Sequence, residues 1–422
     1  MAFRSLTSTV CIAVFWLNGC TSLSPLRSNT ATNPQNSVDI KKGYKIAFIE
    51  FGEQGSYQDP TQLKNALDLI QNTEKPLVIT YVHGWQNNVE SGDVGNFEGL
   101  LTRLDRAPAI RNAGFNAVGV YLGWRGKLTP LPVLKEISFW NRKATAERIA
   151  SNYDCYDAIA SISEAARKYH GARQYTVLLG HSFGGLIVER SVAHAINAEI
   201  HGRADADRSM PADLMIVVNP ASDSILARQM IAALYSRKTE GTRPLFVSMT
   251  STGDWATGTF FPIGTGLASI SKGFNEVGAP GPVNTPESER KFYTSTPGHN
   301  EMLINHVTLN LQKTINSPQG QPALETNLEH NLSADVFTLD GVNGKLDLWQ
   351  IKRIGDVDVP YWDVKVDPSI IKDHGDLWNE KAKAMMAAIF RMANPMLNPR
   401  AKPRATLHRA PDFNRLQLRQ HQ

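Results

Sequence analysis

Cysteine is scarce in this chain: three in 422 residues, at positions 11, 20 and 155, with no pair at metal-ligand spacing. That excludes a disulfide framework and a cysteine zinc site. There is no His-Glu-x-x-His, and His299 and His306, seven apart, have no third ligand in the pattern, so no metal or other cofactor is expected. Gly264-Thr265-Gly266 lacks the lysine and spacing of a phosphate loop. Long hydrophobic runs are also missing. The apolar stretch after Arg4, from Val10 to Leu17, is too short to span a bilayer, which excludes a multi-span membrane protein. Net charge is only +4, and its placement argues against nucleic acid. Residues 395–422 carry Arg400, Lys402, Arg404, Arg409, Arg415 and Arg419 against Asp412, which leaves the body slightly acidic and the tail basic and flexible.

What is present is an ordinary globular composition, 42% hydrophobic and 20% charged, enough for a packed core. Short apolar runs at 44–49, 77–82, 117–122, 175–179, 214–218 and 245–249 read as buried strands. Helical patterns separate them: one opened by Asp59-Pro60, one carrying Leu100, Leu101 and Leu104, one long stretch over 144–170, then 183–199 and 225–234. Strand-helix alternation of this kind predicts an α/β fold, a mostly parallel sheet with helices on both faces. The alternation lapses over 258–358, rich in Gly, Pro, Ser and Thr, which reads as a large insertion or cap before the last core strand at 361–366. A closing helix follows, and its Met385, Ile389 and Met392 stripe reads as core packing.

The strand at 175–179 runs into Gly180-His181-Ser182-Phe183-Gly184-Gly185 and then into a helix. This strand-turn-helix setting gives a Gly-x-Ser-x-Gly match its meaning, because the glycines relieve crowding around a serine in a strained turn. Ser182 is therefore the candidate nucleophile. Upstream, Val82-His83-Gly84-Trp85 ends another strand.

With these two motifs the chain resembles bacterial α/β-hydrolase esterases and lipases over about 44–394. The resemblance implies an oxyanion hole from the amides of Trp85 and Phe183, a structural role for His83, and the order nucleophile, acid, histidine. Asp254, just past the strand at 245–249, fits the acid, with Asp223 after the preceding strand as its rival. For the base, His374 lies between the last core strand and the final helix, while His299 comes sooner after Asp254 and stands second. Among the tryptophans, Trp124 and Trp140 read as core, and Trp255, beside Asp254, is the one placed to line an acyl pocket.

The amino terminus reads as a signal peptide over 1–19. Leu17-Asn18-Gly19-Cys20 resembles the bacterial lipobox, which implies a lipid on Cys20, a flexible tether over 20–40 and anchoring in the cell envelope. Thr21, not aspartate, points to the outer membrane. Once Cys11 leaves with the leader and Cys20 is acylated, only Cys155 remains, expected as a small buried residue. The domain expected is 41–394, with 395–422 as its tail. The leading expectation is a lipid-anchored serine hydrolase of carboxylic esters, acting on a small-molecule or lipid ester. A thioesterase or amidase on the same triad, and a non-catalytic binding lipoprotein, stay open as alternatives.

Overall fold

The computed structural model describes residues 24–126, 135–170, 174–200, 210–235, 243–270, 272–274, 276–278, 286–316, 335–340, 345–355, 358–394 and 397. The expected leader, Cys20 and the basic tail (apart from Leu397) lie outside the described residues. Among the described residues thirteen strands are formed: β1 Val38–Lys41, β2 Tyr44–Glu50, β3 Pro76–Val82, β4 Asn116–Gly123, β5 Tyr175–His181, β6 Leu214–Val218, β7 Phe246–Ser251, β8 Glu276–Gly278, β9 Pro286–Ser288, β10 His306–Asn316, β11 Val336–Asp340, β12 Lys345–Arg353 and β13 Tyr361–Val366. The helices that cover them are α1 Pro60–Gln71, α2 Gly92–Arg106, α3 Pro108–Asn112, α4 Lys135–Ser151, α5 Tyr153–His170, α6 Phe183–Ile200, α7 Ser224–Tyr235, α8 Phe261–Ala268, α9 Glu289–Thr294 and α10 Glu380–Ala393.

Eleven strands make one mixed sheet in the order β1-β2-β4-β3-β5-β6-β7-β13-β10-β12-β11, parallel from β2 through β10. All seven residues of β3 and of β5 are buried, as central parallel strands must be when both faces are covered. Alternate residues feed two cores. Ala47, Ile49, Val78 and Val82 meet α1 and α4 to α7, whereas Ile46, Phe48, Ile79 and Tyr81 meet α2, α3 and α10.

This layering fixes where a site can open. β3 and β5 are neighbours, but the helix after β3 covers one face and the helix after β5 covers the other. Their carboxyl ends therefore part around a crevice, the usual ligand position in an open parallel sheet.

Three features depart from the sequence pattern. The long helix at 144–170 begins earlier and is broken into α4 and α5, because the Asn152 side chain accepts the Asp154 amide at 3.0 Å and starts a new helix. The stretch 258–358 contributes β10, β11 and β12, which widen the main sheet beyond β13. The bulge between Asn310 and Thr314, with Gln312 at φ +49°, breaks the alternation that would have revealed β10. Of the stretch expected as a flexible tether, residues 24–40 are instead bound to the body. The Leu26 and Arg27 amides donate to the Glu50 carboxylate at 3.0 and 2.9 Å, and the Arg27 guanidinium lies over the Phe48 ring. Among the described residues no helix is long and apolar enough to cross a membrane.

Candidate active site

Ser182 sits at the turn between β5 and α6 with φ +56°, a left-handed conformation costly for a side chain with Cβ. Its backbone is held on three sides: its amide donates to Val218 O, and its carbonyl accepts the Leu186 and Ala221 amides. The turn also requires close backbone approach. A Cβ on Gly184 would lie 2.0 Å from Val82 O, and one on Gly84 would lie 2.9 Å from the Ser182 Cβ. Glycine is thus imposed at both positions by packing of the β3 end against the serine turn.

The Ser182 hydroxyl donates to His374 Nε2 at 2.7 Å, and His374 Nδ1–H donates to Asp254 Oδ2 at 2.8 Å. The three residues are far apart in sequence. They meet because Asp254 follows β7 and His374 follows β13, strands that pair in parallel register with their carboxyl ends together. Asp254 is buried, which disfavours its charge. The His374 hydrogen bond and charge, joined by the Thr257 hydroxyl and amide, outweigh burial and hold the carboxyl below its ordinary value of 3.8.

The His374 loop is itself fastened. Its carbonyl accepts from His181 Nε2–H at 2.7 Å and from the Asn219 amide nitrogen at 3.1 Å, and the same Asn219 nitrogen reaches Asp373 O at 3.2 Å. Asn219, fully buried at φ +46°, also accepts the Ser251 amide, so one side chain ties the ends of β6 and β7 to the histidine loop. Burial, then the neighbouring His374 charge, push His181 down to about 4, so it is a neutral ring donating from Nε2.

The His83-Gly84-Trp85 turn lies directly against Ser182. His83 is buried between Tyr121 and Trp124. It donates from Nδ1 to Gly84 O at 2.8 Å, and its Nε2 accepts the Trp124 amide at 3.0 Å. Desolvation lowers its pKa, so it serves as a neutral brace for the loop rather than a charged group. Among the described residues the Trp85 amide has no acceptor, and the Phe183 amide opens α6, where first-turn N–H groups have no intrahelical partner. Phe139 of α4 packs on both side chains, with ring centroids 5.5 Å from Trp85 and 4.8 Å from Phe183.

The rival residues are placed elsewhere. The His299 ring donates to Thr257 Oγ1 at 3.2 Å, on the side of Asp254 that the Thr257 hydroxyl binds, and makes no hydrogen bond with Ser182 among the described residues. Asp223 lies 3.6 Å from Arg190, on a polar cavity of about 740 Å³ shared with Lys143 and Glu147. Trp124 is core, Trp140 packs on Gly264, and Trp255 is largely exposed, with its ring against Phe260. A separate apolar cavity of about 150 Å³ lies under α2 and α10 and contains none of these residues. Cys155 is buried against Ser191, and burial pushes its thiol up to about 12. Among the described residues no cluster of His, Cys, Asp or Glu is arranged to hold a metal.

Sequence patterns did not reveal His181, Asn219, Thr257 or Phe139 as supports. His181 lay inside the serine motif, and the other three had no periodic or motif signal.

No protein-family model matches the chain, and no curated protein matches it. Among solved structures it is similar to "Phospholipase PlaB from Legionella pneumophila in complex with thio-NAD", at 10% sequence identity and a TM-score of 0.30. The similarity covers 77% of this chain and 63% of that one, so the chain spans less than two thirds of that protein. At this distance it assigns neither substrate nor residue roles.

Proposed function

We propose that the protein is a serine hydrolase of carboxylic esters, working through an acyl-enzyme on Ser182. The observation that carries this is the continuous hydrogen-bond chain Ser182, His374, Asp254 at the carboxyl end of a parallel sheet. In this reading His374 Nε2 takes the hydroxyl proton as Ser182 Oγ attacks the ester carbonyl. Asp254 stabilises the imidazolium, and the Trp85 and Phe183 amides receive the oxyanion. His374 then returns the proton to the departing alkoxide, and the C–O bond to the alcohol breaks. A water, deprotonated by His374, attacks the acyl-serine, and the acid leaves as Ser182 regains its proton. Lipid attachment through Cys20 and a place in the bacterial envelope belong to the same proposal.

The test is labelling of the purified protein with a fluorophosphonate probe, with turnover of a short acyl ester in parallel. The parent and His299→Ala are expected to label, and Ser182→Ala and His374→Ala to fail. A parent that neither labels nor turns over ester refutes the reading. Labelling that survives His374→Ala but not His299→Ala moves the base to His299. Incorporation of labelled fatty acid, lost in Cys20→Ala, checks the anchor.

A further inference from the structure

Exposed large hydrophobic residues concentrate beside the site. Trp255 (61% exposed), Phe260, Ile263 (58%), Ile270 (72%) and Tyr293 lie on the segment that leaves β7 immediately after Asp254 and on α9, which packs on it. The Trp255 and Phe260 rings touch at 4.9 Å, and Phe260 and Ile263, three apart on a continuous helical turn, share a face. Exposed Lys272, Arg290 and Lys291 flank them. A tryptophan and branched aliphatics with exposed basic residues nearby, and the acid Glu289 among them, match the chemistry of a bilayer interface: apolar side chains enter the acyl boundary and cations meet the headgroups.

A second observation, independent of the patch, fixes the direction of approach. Ser24, where the described chain begins, is held by Arg125, just past the carboxyl end of β4, and the next residues are held by Glu50 at the carboxyl end of β2. β2 and β4 run parallel to β3 and β5, so the chain enters at the end of the sheet that bears Ser182. Cys20 precedes Ser24 by four residues, at most about 14 Å of extended chain. A lipid on Cys20 would therefore hold the bilayer close to the end that carries the exposed apolar residues.

We infer that the Ser182 end of the molecule docks on a lipid bilayer, with Trp255, Phe260, Ile263 and Ile270 in its interface. Docking stands on the patch, and its direction on the chain's entry point together with the lipid proposed on Cys20. Its consequence for substrate rests on the hydrolase proposal: the ester reaches Ser182 from the bilayer, so the substrate class is membrane lipid esters.

The test uses the full chain with phosphatidylglycerol and phosphatidylcholine vesicles whose acyl chains are brominated or plain. The fluorescence difference between the parent and Trp255→Phe isolates Trp255. Most of that component is expected to be lost on brominated vesicles, with a blue shift on plain ones. The control places a tryptophan at the opposite end of the sheet: Ile40, 71% exposed on β1 beside the start of β2, becomes Ile40→Trp in the Trp255→Phe background. Its emission should be unquenched. Ile263→Ser with Ile270→Ser should lose most of the Trp255 quenching while keeping turnover of a soluble short ester. An unquenched Trp255, equal quenching at position 40, or quenching untouched by the serine pair overturns the inference. Turnover of a short ester by the parent, measured beside its docking, separates the two proposals: a parent that docks without hydrolysing sinks only the hydrolase reading, and one that hydrolyses without docking sinks only this inference.

Discussion

Asn219 offers the sharpest test of how the site is assembled. Asn219→Ala removes two donors to the histidine loop and the acceptor for the Ser251 amide. Leaving that buried amide unpaired costs about 1 to 3 kcal/mol, and each of the two lost donor bonds adds about 1 kcal/mol, so a loss of about 3 to 5 kcal/mol in unfolding free energy is expected. The larger effect should fall on rate. With only His181 holding its carbonyl, the His374 loop can drift, and a misplacement of about 1 Å costs about 100-fold, or about 2.7 kcal/mol of barrier. Asn219→Asp keeps the acceptor for Ser251 but turns a carboxylate toward two carbonyl oxygens. It should recover part of the stability and none of the rate. The assay is kcat on a soluble ester beside a denaturant unfolding curve for each variant. A folded Asn219→Ala with kcat within about threefold of the parent, under 0.7 kcal/mol of barrier, refutes the positioning role.

Burial, opposed by the Ser222 and Tyr361 hydroxyls, raises Glu189 from its ordinary 4.5 to about 7. The folded state then keeps a proton that the unfolded chain releases, so stability should decline by about 3 kcal/mol as pH rises from 4.5 to 7 and level off above. Thermal melts of Glu189→Gln should lack that decline. The depressed Asp254 carboxyl contributes stability that is present above 3.8 and lost as pH falls through its lower folded value. Thr257→Val removes a hydroxyl donor to that carboxylate and should move the loss to higher pH in acid unfolding, whereas His299→Ala leaves the donor in place and should not. Gly184→Ala drives a methyl into Val82 O and should cost about 3 kcal/mol or more, read as poor soluble yield or a lowered Tm.

Sequence alone was enough for the parallel strands, since residues buried on both faces must be apolar along their whole length. It also singled out Ser182 as the candidate nucleophile, because a serine in a left-handed turn leaves glycines on either side. Asp254 and His374 were legible only as candidates beside Asp223 and His299, because loop aspartates and histidines have no periodic signature. Tertiary structure separates them geometrically through the parallel pairing of β7 with β13, which brings Asp254 and His374 to one end in a hydrogen-bond chain with Ser182, while the His299 ring bonds Thr257. It also supplied what no local pattern encodes: the Asn219 and His181 bonds to the His374 carbonyl, the three strands beyond β13, and the entry of the chain at the Ser182 end. Each depends on contacts between residues tens to hundreds of positions apart. Such contacts leave no trace in a window short enough for helix or strand periodicity to show.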